Sequence, residues 1–427
     1  MKVKLKYGRN GLDVDLGAEG VFRLFRTKDM PVIENPSATI QECLEKPTAG
    51  PPLRELARGK QSVCIVVSDI TRPVPNKLLL PPIIEALEQA GLSSRRIRLL
   101  VATGIHRSPT HDELVEMLGE RILAKYTVLS HNARNKSEIK RLGDTSKGTP
   151  IEINRFYLES ELKIVTSLVE PHFMAGYSGG RKSIAIGLTS IESVEHLHGT
   201  KFLEHPDARN CELSNNPLHA ELTEIALAAG CDFCVNAVID AERKLAAVFA
   251  GDLVVAHNSA CEFAQRYAII SAKEEFPVVV TTSAGYPLDT TFYQAIKGLV
   301  GALGILSPGG SIVLAAECSN GIGSSEFRHT LERLVKLQSF DVFLQHISEP
   351  ANFVIDQWEV EMLVKALRRG TIYLFSDGIA ESDWPLTHAI RVNSVEEGIS
   401  RALAKAEGNR VAVIPEGPYV IPIGDRA

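Results

Sequence analysis

Tryptophan is almost absent from this chain: there are two in 427 residues, and all aromatics together reach 6%. So thin a supply leaves no stacking platform interleaved with basic residues, the pattern of a single-strand nucleic-acid binder. Positive charge is short as well, with 46 Lys and Arg against 52 Asp and Glu and a net charge of -6. An acidic chain lacks the basic surface that non-specific nucleic-acid binding needs. No apolar run approaches the roughly 20 residues of a membrane helix. The opening MKVKLKYGRN has no signal-peptide core. The expectation is a chain with neither nucleic-acid nor membrane partners. Cysteine is sparse, odd in number at seven, and scattered. That argues against a disulfide framework and suits a reducing, cytoplasmic setting. Cys231 and Cys234 form one CxxC with no second pair to complete a four-cysteine zinc site, so they read as structural thiols.

What the chain does have is length for two domains. It also has a regular alternation of apolar runs with helix-period segments. Residues 3–16 read as a hairpin around Gly8-Arg9-Asn10-Gly11. Continuous apolar runs at 63–67, 97–102, 126–130, 164–169 and 233–239 read as strands buried on both faces. Helices are expected at 76–90, with Pro81-Pro82 as a kink point, after the T-x-x-E capping box at Thr110, and at 191–197, 218–229 and 254–272. A second series starts at Pro277, with strands at 278–281, 311–316, 372–375 and 411–414. Its helices fall at 291–303, 326–337, 354–369 and 395–404. The pattern predicts two α/β domains with mainly parallel sheets, residues 1–272 and 273–427, and an active site in the cleft between them.

Functional groups in such folds sit on loops after the carboxyl ends of strands. Four loops carry dense polar chemistry. Ser68-Asp69-Ile70-Thr71-Arg72 offers an acceptor, a hydroxyl and a two-pronged donor, suited to a sugar hydroxyl and a phosphate or carboxylate, or else to a plain ion pair trimming a strand end. Thr103-Gly104-Ile105-His106 places an imidazole just past a buried strand, where acid/base work competes with a purely structural role. The segment Glu170-Pro171-His172 through Gly179-Gly180-Arg181-Lys182-Ser183 puts an imidazole and a lysine in one glycine-rich loop. A Walker A loop would need Gly where Arg181 stands. A lysine in a partly dry pocket becomes a nucleophile. His196-Leu197-His198-Gly199 follows a Thr189-x-x-Glu192 capping pattern, so His198 is expected at a helix C-terminus, as a metal ligand or a surface charge facing the dipole. Histidines 106, 172 and 198 could on their own converge on a zinc ion, but no HExxH and no dense carboxylate set supports this. In the second series, Gln294 and Lys297 share a helix face beside Tyr293, and Trp358 suits either a lid or the core.

Together these segments resemble the lactate racemase family, which uses a nickel-pincer nucleotide cofactor. The match runs through SDITRPVPN, ATGIHR, EPHFMAGYSGGRKS, HLHGTKF, GYPLD with YQAIKG, and DQW, from about Asp69 to Trp358. The resemblance implies a 2-hydroxyacid racemase with nickel in a pyridinium-3,5-bisthiocarboxylic acid mononucleotide. One arm of that cofactor would be joined to Lys182 as a thioamide, and His198 would be the protein's metal ligand. It implies cofactor contacts from Asp69, Ile70, Thr71 and Arg72, an acid/base pair in His106 and His172, and substrate contacts from Arg72, Tyr293, Gln294, Lys297 and Trp358. It also implies cofactor-assembly enzymes as partners and a small 2-hydroxyacid as substrate, lactate first. The residues alone leave two alternatives: a zinc hydrolase or dehydratase, and a non-catalytic binder of a nucleotide or small acid.

Overall fold

The computed structural model describes residues 1–424. The chain forms two compact units. One, here the N-terminal unit, is Asp29–His198 with His205–Arg266; the other, the C-terminal unit, is Met1–Lys28, Gly199–Glu204 and Tyr267 onward.

The N-terminal unit is built on a six-stranded sheet. Its strands run in the order Leu245–Gly251, Phe233–Ile239, Leu162–Leu168, Val63–Ser68, Ile97–Ala102 and Thr127–Ser130. All neighbouring pairs are parallel except the first, where Leu245–Gly251 runs antiparallel to Phe233–Ile239. The apolar run at 63–67 lies fully buried, as a strand covered on both faces must. The chain steps outward from Val63–Ser68 to Ile97–Ala102 and Thr127–Ser130, then returns to the other side through Leu162–Leu168. That reversal is a topological switch point, and it opens between the carboxyl ends of Val63–Ser68 and Leu162–Leu168. Helix Asn76–Gln89 carries both Pro81 and Pro82 without being divided, and buries Leu79, Leu80, Ile83, Ile84 and Leu87 in the core. The Thr110 capping box forms as expected and starts helix His111–Leu118.

In the C-terminal unit a second six-stranded sheet is wholly parallel. Its order is Ile390–Arg391, Gly370–Phe375, Leu306–Ala315, Phe276–Thr282, Arg410–Ile414 and Val21–Leu24. The edge strand comes from the start of the chain. Residues 1–28, assigned above to the N-terminal domain, belong here because Val21–Leu24 takes its hydrogen bonds from Arg410–Ile414. The helix expected at 254–272 ends at Ala268, and Ile269–Ser271 turns into a strand paired with Ile421–Ile423. No described helix is long and apolar enough to cross a membrane.

Candidate active site

The loop after Val63–Ser68 sits at the switch point, and its polar groups are committed. The Asp69 carboxylate is buried and accepts from His106 Nδ1 at 2.6 Å, from Thr71 Oγ1 at 2.6 Å and from Thr71 N at 3.2 Å. Burial pushes this carboxyl up, but the hydrogen bonds from His106 and Thr71 outweigh it and hold it below the ordinary range. Since the carboxylate only accepts, His106 carries its proton on Nδ1, and Nε2 is left as the basic atom. Ile70 packs against the sheet core, which fixes the loop from below. Arg72 reaches across the switch point to an ion pair with Glu170, the residue that opens the third loop. Behind His106 lies a buried support. His131 Nε2 donates to Thr189 O at 2.9 Å, its Nδ1 accepts from Asn154 at 3.2 Å, and Thr103 Oγ1 donates to its carbonyl at 2.6 Å.

The third loop leaves Leu162–Leu168 and folds on itself. Pro171 pairs with Tyr177 and His172 with Gly176 in a miniature hairpin that presents His172. Gly179 and Gly180 then turn the chain sharply at φ +76° and +47°. A Cβ at 180 would lie 2.5 Å from the His257 ring, and one at 179 would lie 2.7 Å from Leu168 O. Glycine is needed here for close packing as much as for the turn. Ser167 Oγ accepts from Gly180 N at 2.9 Å. Buried Arg181 donates to His257 Nδ1 at 2.7 Å and to Asn258 Oδ1 at 2.9 Å, and His257 Nε2 donates to Ser178 O at 2.8 Å. This lock pins the loop to helix Leu253–Ala268 and leaves the next residue, Lys182, half-buried with its amine 2.5 Å from His172 Nε2.

His198 caps helix Ile191–Leu197 at its C-terminal end, as expected, but the N-cap is Ser190, not Thr189. Thr189 Oγ1 instead donates to Ala185 O. His198 Nδ1 donates to Val194 O at 2.9 Å, which leaves Nε2 with its lone pair. Burial pushes this imidazole down to about 4, so it is neutral near pH 7. A neutral ring with one nitrogen tied to a carbonyl is the form that binds metals. Among the described residues no three His, Cys, Asp or Glu side chains gather into a metal cage. The three histidines thus do not form the zinc set considered above, and the donors fit a metal that receives one protein ligand.

The remaining expected residues lie in the C-terminal unit. Thr291 caps helix Phe292–Ala302, which carries Tyr293, Gln294 and Lys297. Lys297 donates to Gln294 Oε1 at 2.5 Å, confirming the shared face. Trp358 is buried and donates to the Tyr293 hydroxyl at 3.1 Å, which holds the two side chains together. The sequence reading had given no role to Glu170, Arg181, His131, His257 or Asn258. Glu170 and Arg181 stood inside a quoted motif. His257 and Asn258 lie on a distant helix with no local signal.

Models of the lactate racemase N-terminal domain and C-terminal domain match residues 7–210 and 271–422. A curated lactate racemase of Thermoanaerobacterium thermosaccharolyticum is 32% identical over 98% of both chains. One from Lactiplantibacillus plantarum is 33% identical over 90% of both. The apoprotein structure of the T. thermosaccharolyticum lactate racemase superposes with a TM-score of 0.91, at 30% identity over 99% of this chain and 100% of that one. A crystal structure of a Thermotoga maritima protein, 18% identical with a TM-score of 0.65 over 90% of this chain and 97% of that one, shares the fold. The protein is an isomerase of the racemase class. More particularly, the chain belongs to the lactate racemase family.

Proposed function

We propose that the protein interconverts the enantiomers of a small 2-hydroxyacid, with lactate the first candidate and malate, phenyllactate or a sugar acid as the alternatives with larger side chains. The reading includes a nickel-pincer pyridinium mononucleotide tethered through Lys182, with His198 Nε2 completing the nickel. The observation that carries it is the pairing of Lys182 with His172 on a loop locked from behind, in the same unit as the Asp69–His106 pair and a neutral His198 whose Nδ1 is tied to Val194 O.

When bound, the cofactor would supply a hydride acceptor for the Cα hydrogen, and this chain's residues would do the proton work. His106, held by Asp69 with Nε2 basic, takes the hydroxyl proton of one enantiomer as general base. His172 serves the other enantiomer from the opposite face. Each returns a proton as acid when the reaction runs toward its own enantiomer. Arg72 turns its planar donor pair from Glu170 to the substrate carboxylate. Thr71 and the 69–72 backbone are proposed contacts to the mononucleotide. Tyr293, Gln294, Lys297 and Trp358 are proposed substrate contacts on the family's pattern.

The test is co-expression with the family's cofactor-assembly enzymes, followed by intact mass, nickel content and a chiral screen of 2-hydroxyacids. A mass adduct on Lys182, about one nickel per chain and equilibration of one acid's enantiomers are expected. Lys182→Ala should lose the adduct, and His198→Ala should lose nickel more than adduct. An unmodified, nickel-free and inactive chain overturns the reading.

A further inference from the structure

His172 is buried, and both of its ring nitrogens are accounted for. Its Nδ1 faces two consecutive backbone donors, Met174 N at 3.3 Å and Ala175 N at 3.2 Å. A nitrogen that receives N–H groups is an acceptor, so in the neutral ring the proton sits on Nε2. Nε2 in turn lies 2.5 Å from Lys182 Nζ. An ammonium has three donors and no acceptor, so it cannot receive a hydrogen bond from Nε2–H. Only the neutral amine, offering its lone pair, completes this chain of donors.

We infer that, before any cofactor arrives, the site stores Lys182 as a neutral, nucleophilic amine, held so by the Nε2–H of His172, and that the same bond keeps the working nitrogen of His172 occupied. The inference rests on the proposed function for its biological meaning, but it concerns only these side chains. Two consequences follow. The lysine is ready to attack an acyl-type carbon without first shedding a proton to solvent. Once its nitrogen is acylated, the lone pair is delocalised into the new bond and no longer competes for Nε2–H. Tethering then releases Nε2 of His172 from the lysine, and the ring meets substrate as a base once its proton has moved to Nδ1, so the empty protein is protected from idle acid/base chemistry until it is loaded.

The test uses the apoprotein and N-hydroxysuccinimidyl acetate at pH 7.5, read by peptide mass spectrometry. In this reaction the amine nitrogen bonds the acetyl carbon, the carbon–oxygen bond to hydroxysuccinimide breaks with its electron pair, and the amine proton passes to water. An ordinary lysine is neutral in only about one molecule in a thousand at that pH. Exposed Lys140 is the internal standard. Lys182 is expected to acetylate at least roughly tenfold faster than Lys140, and His172→Phe to erase that advantage. A wild-type Lys182 no faster than Lys140 overturns the inference, as does a folded His172→Phe protein that keeps the advantage. The wild-type ratio decides even if the variant fails to fold. Because no nickel or cofactor enters, the outcome separates from the racemase reading. Fast acetylation with no cofactor adduct sinks only the function, and an adduct with slow acetylation sinks only this inference.

Discussion

At the scale of single residues the two histidines rest in opposite forms. His106 gives its Nδ1 proton to Asp69 and shows a basic Nε2, whereas His172 receives backbone donors at Nδ1 and carries its proton on Nε2. The two rings thus rest as different tautomers, one with a bare Nε2 and the other with its proton on Nε2. Each single Ala variant of the loaded enzyme is expected to lose roughly a hundred- to ten-thousand-fold in steady-state racemisation in both directions. Stopped-flow mixing with one enantiomer discriminates further. Each variant should turn over once only with the enantiomer whose base remains, so the two should show opposite preferences. A shared preference would remove the opposite-face arrangement. Both histidines were legible in the sequence because each follows a buried strand. The carboxylate that sets His106 was legible as a residue but not as a partner: positions 69 and 106 meet only because their strands are neighbours in the sheet.

At the scale of elements, the loop from Glu170 to helix Arg181–Ala185 does the positioning. The sequence marked this stretch only as a glycine-rich loop holding an imidazole and a lysine. The structure uses Gly179 and Gly180 to press the backbone against Leu168 O and His257, which a Cβ would block. The reason lay 76 residues away in the Arg181–His257 bond, beyond any local pattern. Gly180→Ala should push His257 aside, loosen that bond and displace the Lys182 amine. The expected cost is about 1–3 kcal/mol of stability from the strained positive φ, read as a lowered unfolding midpoint, together with slower cofactor loading by intact mass. An unchanged midpoint and loading rate would mean that the loop tolerates the side chain. Helix and strand positions elsewhere were readable because burial on both faces leaves continuous apolar runs. The antiparallel strand Leu245–Gly251 was not identified, having been passed over between two stronger signals.

At the scale of the whole molecule, two buried histidines, His131 and His257, and the half-buried His219 tie stability to pH. Burial pushes His131 and His219 down to about 4 and His257 to about 3, the last two helped by the charge of Arg181. In the unfolded chain each titrates near 6.5. Below that value the unfolded state binds protons that the folded state refuses. Stability is thus complete above about pH 6.5 and falls as pH drops toward 4. For His131 alone the loss is about 3 kcal/mol across that window. Urea unfolding between pH 7.5 and 4.5 should show the decline, with a slope shallower by up to one proton in His131→Gln. A flat profile would mean that these rings are protonated while folded. The two-domain α/β plan was legible at this scale, since alternation of strand and helix dictates it. The ownership of residues 1–28 was not, because the hairpin reads as local structure while Val21–Leu24 is short and only partly buried. That strand pairs position 21 with position 410, nearly the full length of the chain apart. A ribosome adding roughly 5–20 residues per second takes on the order of 20–80 s to travel between them. The first stretch to be synthesised is therefore among the last to be housed, and any pause late in translation lengthens the time its open strand edge waits in the company of chaperones.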